Sequence, residues 1–259
     1  IGYPDGPPLF TGMAIGDVST GVAAFGAIMA SLLERTKTNE GQHLDISLLD
    51  TYFHMHEINA QLYSGSDGNV VPTRFGHLHS SIQPIGIYKG HQHYIFMLCV
   101  PTVWPQFCKV IDREDIIEHP SFATVPKRVE NRLELEKIIQ AWINTQPNDE
   151  VILDKFREAH LPIAPIISVP EAMAHPHMIE RGVVRPHHDR SSGTWQLPGL
   201  PMRFSKYPGR PDLPAPYVGE HNAQVLSQHL GYDAAKIDAL HKSGVLHSVP
   251  LPDGVKAAE

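Results

Sequence analysis

The sequence has 259 residues, of which 42% are hydrophobic and 19% charged, and its formal net charge is −7. This length allows one large domain or two small ones, and the composition is ordinary for a soluble globular protein. The acidic balance, with no Lys/Arg cluster to offset it, excludes a general nucleic-acid-binding protein. Anionic small molecules remain possible ligands if local positive groups hold them.

The first 65 residues are predicted to contain a loop, two helices and a strand. Their order is a loop at 1–15, a helix over Val18–Thr36, a turn at 37–41, a half-buried strand at 42–49 and a helix over 50–65 with Asp50 as its N-cap. Apart from Ser31, the first helix is wholly apolar from Gly21 to Leu33. Such a helix should be buried on every side.

The rest of the chain alternates strands and helices. The predicted elements are a hairpin of Ile85–Tyr88 and Tyr94–Val100, a helix starting at Thr102, helices over 129–146 and 148–160, a strand within 161–169, a broken helix over 170–182, short β-segments within 183–216, and a helix pair at 219–232 and 233–244. This alternation predicts an α/β or α+β fold class. The longest apolar runs fall short of a membrane span and no signal peptide opens the chain, so we expect a cytoplasmic protein without membrane contact.

Asp17 stands at the mouth of the apolar helix and has two interpretations. As an N-cap, its carboxylate would accept a hydrogen bond from the amide of Ser19 or Thr20. The functional interpretation uses the same position, because the positive end of the helix dipole keeps a carboxylate ionised. Gly16 would let a substrate approach the backbone closely, and an ionised aspartate there is a plausible nucleophile toward an activated acyl group.

Three H-x-H triplets occur among 17 histidines: His54/His56, His77/His79 and His91/His93. On a strand such a triplet puts both imidazoles on one face, where they can hold zinc. No acidic or cysteine ligand follows at a usual spacing, so we favour surface or turn histidines and expect no metal. The loop 75–84, "FGHLHSSIQP", is either a plain connector or a mobile segment over a site.

Several familiar motifs are absent from the sequence. No P-loop, G-x-G-x-x-G, G-x-S-x-G or C-x-x-C occurs, which removes nucleotide-phosphate, dinucleotide, serine-hydrolase and redox functions as first choices. The two cysteines, Cys99 and Cys108, form neither a disulfide framework nor a metal spacing, so a reducing compartment is expected.

Seven segments together carry a resemblance to one family. In chain order they read "GPPLFTGMAIGDVSTG", "RTKTNEGQHLDISLLD", "FGHLHSSIQPIGIY", "VWPQFCKVI", "LPIAPIISVPEAMAHP", "LPGLPMRFS" and "GEHNAQVL". From about Gly2 to Tyr232 the chain resembles the class III CoA-transferases, the CaiB/BaiF family, which includes formyl-CoA and carnitine CoA-transferases. In that family the G-D-x-x-x-G segment carries the catalytic aspartate, and here Asp17 occupies that position.

The resemblance implies ping-pong covalent catalysis through acyl-aspartyl anhydrides and an aspartyl-CoA thioester. Backbone amides from Val18 to Thr20, or in a flexible loop, are expected to stabilise the oxyanions. The mobile loop of the family is glycine-rich in some members; the matching region here is Gly76–Ser81, so Gly76, His77 and His79 are candidates for lining the site. CoA and acyl-CoA are substrates, together with a small carboxylic acid, and no permanently bound cofactor is implied.

The resemblance also implies a domain plan. The family fold is an interlocked dimer of ring-like chains, each with a Rossmann-like large domain and a smaller α+β domain. On that plan 1–65 and 196–245 belong to the large domain, 66–195 form the small domain with its linkers, and 246–259 are a tail. The family's first third, which supplies most CoA contacts, has no match here. The chain starts mid-domain without a methionine, so we expect a fragment of a longer protein or a separate N-terminal half, and a homodimer.

Three other functions compete with a CoA-transferase. An α-methylacyl-CoA racemase shares the fold but uses the aspartate as an acid/base; the racemases tend to have a "GDFGGG"-like run where this chain has "GDVSTG". An inactive C-terminal fragment is the second alternative, because the aspartate is useful only with positioned substrate. A zinc-binding module built from the H-x-H triplets is the third.

Overall fold

The structure, a computed structural model, describes residues 1–206 and 214–252. It divides into two units, Ile1–Ile166 and Ile167–Glu259. The mixed helix and strand content predicted from the sequence is confirmed, and the strand pairs in the described residues are antiparallel.

Three helices follow the N-terminal loop in the first unit: α1 (Ile15–Thr38), α2 (Leu48–His54) and α3 (Glu57–Gly65). The prediction of one helix over 50–65 is wrong, because the helix is interrupted between the end of α2 and the start of α3. The predicted cap Asp50 lies inside α2; Ser47 is the N-cap, and its hydroxyl accepts from the Asp50 N–H at 3.0 Å.

The predicted strand at 42–49 is also wrong. Residues 40–47 have no strand partner within the described part of the chain, and Leu48 already begins α2. Alternation of polar and apolar residues marks a surface that is buried on one side, but a strand also needs a neighbour for its backbone hydrogen bonds.

The helix α1 is not buried in this chain, contrary to prediction. None of its residues is buried, although Val18, Val22 and Leu33 are among its large apolar side chains. Within the described residues α2 packs against it, which leaves most of its circumference uncovered. The helix has 24 residues, and an 18-residue stretch of it has a mean hydropathy of 1.5, so it is long and apolar enough to cross a membrane. The expectation that no apolar run reaches the length of a membrane span is therefore wrong. Core helices of soluble proteins and signal sequences have the same length and hydropathy.

The core of the first unit lies between a three-stranded sheet and a helical layer. The strands are β1 (Ile85–Lys89), β2 (Tyr94–Leu98) and β3 (Ile163–Ile166), in the order β1-β2-β3. The helices are α4 (Trp104–Val110), α5 (Val125–Glu130), α6 (Arg132–Thr145) and α7 (Asp149–Glu158). The predicted hairpin is confirmed, with Tyr88 opposite Ile95, and Asn148 caps α7 as expected. The predicted helix over 129–146 is interrupted at Asn131.

Large side chains fill this core. Phe107 and Phe156 have no exposed surface and meet edge to face, with ring centroids 5.5 Å apart. Burying such rings supplies the apolar area that stabilises the unit. The loop at 76–84 leads directly into β1 of this sheet.

The second unit contains short helices and one hairpin. Its elements are α8 (Val169–Ala174), α9 (Pro176–Glu180), β4 (Val184–Asp189), β5 (Gly193–Pro198), α10 (Asn222–Leu230) and α11 (Ala234–Lys242). The broken helix, the β-segments over 184–198 and the final helix pair are thus confirmed. The range predicted for the β-segments, 183–216, also contains residues 207–213, which lie outside the described residues. Part of the expected tail, 253–259, lies outside the described residues.

Candidate active site

Asp17 lies in the first turn of α1, at the third helical position. The helix begins at Ile15, three residues earlier than predicted; its N-cap is Ala14, and no side-chain cap hydrogen bond forms there. The interpretation of Asp17 as a capping residue is therefore wrong. The Asp17 side chain is exposed, and a carboxylate in the first turn is stabilised by the positive end of the helix dipole.

A cavity of about 530 Å³ opens at this end of α1. Residues 9–14 form one side of it, and we call them the cavity wall. The first turn of α1, with Asp17, forms another side, and Ile1 and Tyr52 complete the lining. Among the described lining residues Asp17 is the one acidic side chain, so this cavity offers a single carboxylate in largely apolar surroundings.

Tyr52 brings α2 to the cavity. A Cβ built on Gly16 would lie 3.8 Å from Tyr52 Cδ2, so the ring sits directly against the start of α1. Sequence reasoning did not single out Tyr52. A helix containing it was predicted, but the helix face that meets α1 depends on a tertiary contact that local periodicity does not specify.

The backbone donors at the cavity differ from those predicted. The Val18 N–H donates to the Ala14 carbonyl at 2.9 Å, and the amides of Ser19 and Thr20 lie further inside the helix. The hydroxyl of Thr20 donates to the Gly16 carbonyl at 2.7 Å. The amides of Val18–Thr20, one of the two predicted sources of oxyanion donors, are therefore engaged in hydrogen bonds of the helix. The other predicted source, a flexible loop, stays a prediction. Helix geometry instead leaves the first-turn N–H groups, at 15–17, without intrahelical acceptors.

The loop residues expected near the site lie elsewhere in the first unit. Gly76, His77 and His79 do not line the cavity that contains Asp17. His77 lines a second cavity, of about 420 Å³, together with Tyr3, Tyr88 and Glu136. A role of this loop at the active site remains a prediction.

His77 forms a pair with Glu136 of α6. Its Nε2 lies 2.7 Å from Glu136 Oε1, and among the described residues its buried Nδ1 has no hydrogen-bond partner. Burial, and to a smaller extent the charge of Glu136, raise the pKa of the neighbouring Tyr88 phenol. Tyr88 therefore stays protonated throughout the physiological pH range.

His79 forms hydrogen bonds within the other end of the loop. Its Nδ1 accepts from the N–H groups of Ser81 and Ile82 at 3.1 and 3.3 Å. The side-chain amide of Gln83 donates to the His79 carbonyl, and the buried Arg128 donates to the Gln83 carbonyl at 2.9 Å. These bonds tie 79–83 to the core.

The three H-x-H triplets are distributed over separate features. His54 ends α2 and His56 is the N-cap of α3, whereas His91 and His93 lie in the turn of the hairpin. Within residues 1–206 and 214–252, no group of three or more His, Cys, Asp and Glu side chains is arranged to hold a metal ion. The zinc-binding module therefore has no support in the geometry.

Comparison with known proteins adds a family and a fold. The model of CoA-transferase family III matches residues 1–222. The chain is 29% identical over 264 residues to formyl-CoA:oxalate CoA-transferase of Streptomyces avermitilis, covering 95% of this chain and 63% of the relative. It is 30% identical over 249 residues to succinyl-CoA:glutarate CoA-transferase of Mus musculus, covering 95% and 56%. The chain thus spans only about three-fifths of the length of these relatives.

Solved structures show the same fold. A CaiB/BaiF family protein from Brucella suis superposes with a TM-score of 0.65 at 25% identity, covering 88% of this chain and 58% of that one. Rv3272 from Mycobacterium tuberculosis superposes with a TM-score of 0.70 at 20% identity, covering 86% and 58%. The mixed helices and small sheets described above match these structures.

Proposed function

The chain belongs to CoA-transferase family III, the CaiB/BaiF family, and we propose on that basis that it moves CoA between an acyl-CoA thioester and a small carboxylic acid, with Asp17 as the nucleophile. The observation that carries this proposal is the position of Asp17: an exposed carboxylate in the first turn of α1, lining a cavity of about 530 Å³. Curated relatives are named for formyl-CoA with oxalate and for succinyl-CoA with glutarate.

The first half-reaction transfers CoA to the protein. A carboxylate oxygen of Asp17 attacks the thioester carbon, the C–S bond breaks, and CoA leaves as the thiolate. This step yields a mixed anhydride between Asp17 and the donor acyl group. The thiolate then attacks the Asp17 carbonyl carbon; the donor acid leaves as its carboxylate, and Asp17 becomes a CoA thioester.

The second half-reaction reverses these steps with the acceptor. The acceptor carboxylate attacks the Asp17 carbonyl and expels the thiolate, which then attacks the acceptor carbonyl and releases Asp17 as a carboxylate. No net proton is taken up. Each addition places negative charge on a carbonyl oxygen, and the first-turn N–H groups of Ile15, Gly16 and Asp17 are suited to stabilise it.

The proposed function also includes the association of this chain with other polypeptide. We propose that α1 packs against polypeptide outside this chain, either a second copy or the region of the relatives that the chain does not span. The support is physical: a 24-residue helix with no buried residue carries an apolar surface that water disfavours. The Rossmann-like large domain, the interlocked dimer, the division at 65/66 and 195/196, and a cytoplasmic location belong to this proposal too.

Exchange of CoA between acids tests the function. The chain is incubated with an acyl-CoA and an isotopically labelled carboxylic acid, alone and with the N-terminal region of a relative added in trans. The proposal predicts labelled acyl-CoA, and none with Asp17→Asn. In parallel, a 2-methylacyl-CoA is incubated in D2O. Deuterium at the α-carbon without CoA exchange indicates the racemase instead. If neither product forms under either condition, the chain is an inactive fragment.

A further inference from the structure

The first nine residues form a folded hook. The Leu9 N–H donates to the Ile1 carbonyl at 3.1 Å, and the Gly6 N–H donates to the Tyr3 carbonyl at 3.2 Å. Gly2 is buried with a φ of +125°, and a Cβ there would lie 3.0 Å from the Pro7 carbonyl oxygen. The hook therefore turns back on itself at a position that tolerates only glycine.

Arg74 holds this hook from a distant part of the chain. Its Nε donates to the Tyr3 carbonyl at 3.2 Å, and its Nη2 donates to the carbonyls of Pro4 and Gly6 at 3.2 and 2.8 Å. Two residues further on, the Gly76 N–H donates to the Gly2 carbonyl at 2.9 Å. A planar guanidinium can serve three carbonyls of one turn together, whereas a lysine ammonium is a point donor.

The hook continues directly into the cavity wall. Leu9 closes the hook and is the first residue of the wall, Ile1 lines the same cavity, and the wall ends where α1 begins. The wall is thus fixed at one end by α1 and at the other by the hook. Arg74 itself is not among the lining residues.

We propose that Arg74 is a positioning residue for Asp17: it sets the place of the cavity wall relative to the carboxylate without touching the substrate. This inference rests on the proposed function of Asp17. A displacement of about 1 Å between reacting groups costs up to about a hundredfold in rate, so the position of the wall has a measurable effect on chemistry.

Two readouts test the proposal on the full chain, with Arg74→Ala and Arg74→Lys. The first is hydrogen–deuterium exchange of the amides in residues 1–14. The second is the rate of adduct formation at Asp17 at saturating acyl-CoA. Arg157→Ala is the matched control, because Arg157 is an exposed arginine of the same unit that pairs with Glu150 and Asp154 near it.

Both Arg74 variants should speed exchange across 1–14 while β1, β2 and α4 keep their protection. Both should lower the adduct rate roughly ten- to a hundredfold, and Arg157→Ala should change neither readout. Unchanged exchange in 1–14 overturns the proposal, as does faster exchange with an unchanged adduct rate. A wild-type chain that forms no adduct, alone or with the N-terminal region of a relative added in trans, counts against the proposed function and not against Arg74, and the exchange data then still decide whether Arg74 holds the wall.

Discussion

Asp149 anchors the hairpin turn to α7, and its removal tests how this unit is held together. One carboxylate oxygen accepts from the His91 N–H; the other accepts from the Gln92 and His93 N–H groups at 3.0 and 2.9 Å. Hydrogen bonds to a charged group contribute about 1.5–3 kcal/mol each. His91 and Gln92 are exposed, so water replaces the carboxylate at two of these amides. We expect Asp149→Ala to lower the free energy of unfolding by about 2–4 kcal/mol.

Urea denaturation followed by tryptophan fluorescence measures this loss. Trp104 and Trp142 lie in the first unit, so a Trp195→Phe background removes the signal of the second. Asp154→Ala is the control, because Asp154 is an exposed carboxylate of the same helix that pairs with Arg157; such pairs contribute about 0–1 kcal/mol. If Asp149→Ala costs no more than Asp154→Ala, the three amide contacts do not stabilise the unit as argued.

The pH dependence of the same anchor has a definite sign. Burial raises the pKa of Asp149, but hydrogen bonds from the three amides outweigh it and hold the pKa below its ordinary value. A carboxyl group with a depressed pKa stabilises the fold above its unfolded-state pKa of about 3.9, and that stability is lost as the pH falls through the folded-state value. The stability that this carboxylate contributes, measured as the difference between wild type and Asp149→Ala, should therefore be present above about pH 4 and shrink below it.

Two further predictions concern Gly76 and the cysteines. Gly76→Ala should destabilise the first unit by about 1 kcal/mol more than Gly12→Ala in urea denaturation. Both glycines have positive φ, but only at Gly76 would a Cβ lie 2.7 Å from Tyr3 Cδ1. Equal losses of stability in the two variants would contradict the packing of Tyr3 against Gly76. Burial raises the pKa of Cys99 and of Cys108 to about 12, so iodoacetamide at pH 8 should label neither thiol in the folded chain and both in urea. Labelling of the folded chain at the rate of a free thiol would show that these side chains are accessible.

Local signals predicted the elements that depend on local interactions. The hairpin at 85–98 follows from strand residues around a glycine-containing turn, and α7 follows from Asn148 as its cap. The strand at 42–49 and the single helix at 50–65 failed because alternation and helix periodicity do not reveal whether a neighbouring strand exists or where a helix breaks.

The residues of the candidate site show the same difference between local signals and contacts that are distant in sequence. Asp17 was predicted as the nucleophile from its position before an apolar helix, together with a family resemblance, and the structure places it in the lining of a cavity. Tyr52 and Arg74 were missed, because each reaches the N-terminal region through contacts that span many residues of sequence. The exposure of α1 was missed for a related reason: periodicity shows that a helix carries apolar residues all round, but not whether its own chain covers them.

The mass of the intact protein shows whether Asp17 is the nucleophile. The chain, with and without the N-terminal region of a relative, is incubated with a panel of acyl-CoAs and then treated with hydroxylamine. Asp50→Asn is the matched control, because Asp50 is likewise an exposed carboxylate in the first turn of a helix but lies outside the cavity.

We expect a CoA or acyl adduct that hydroxylamine converts to a hydroxamate at Asp17, lost in Asp17→Asn and retained in Asp50→Asn. An adduct that persists in Asp17→Asn, or no adduct with any donor under either condition, would contradict it.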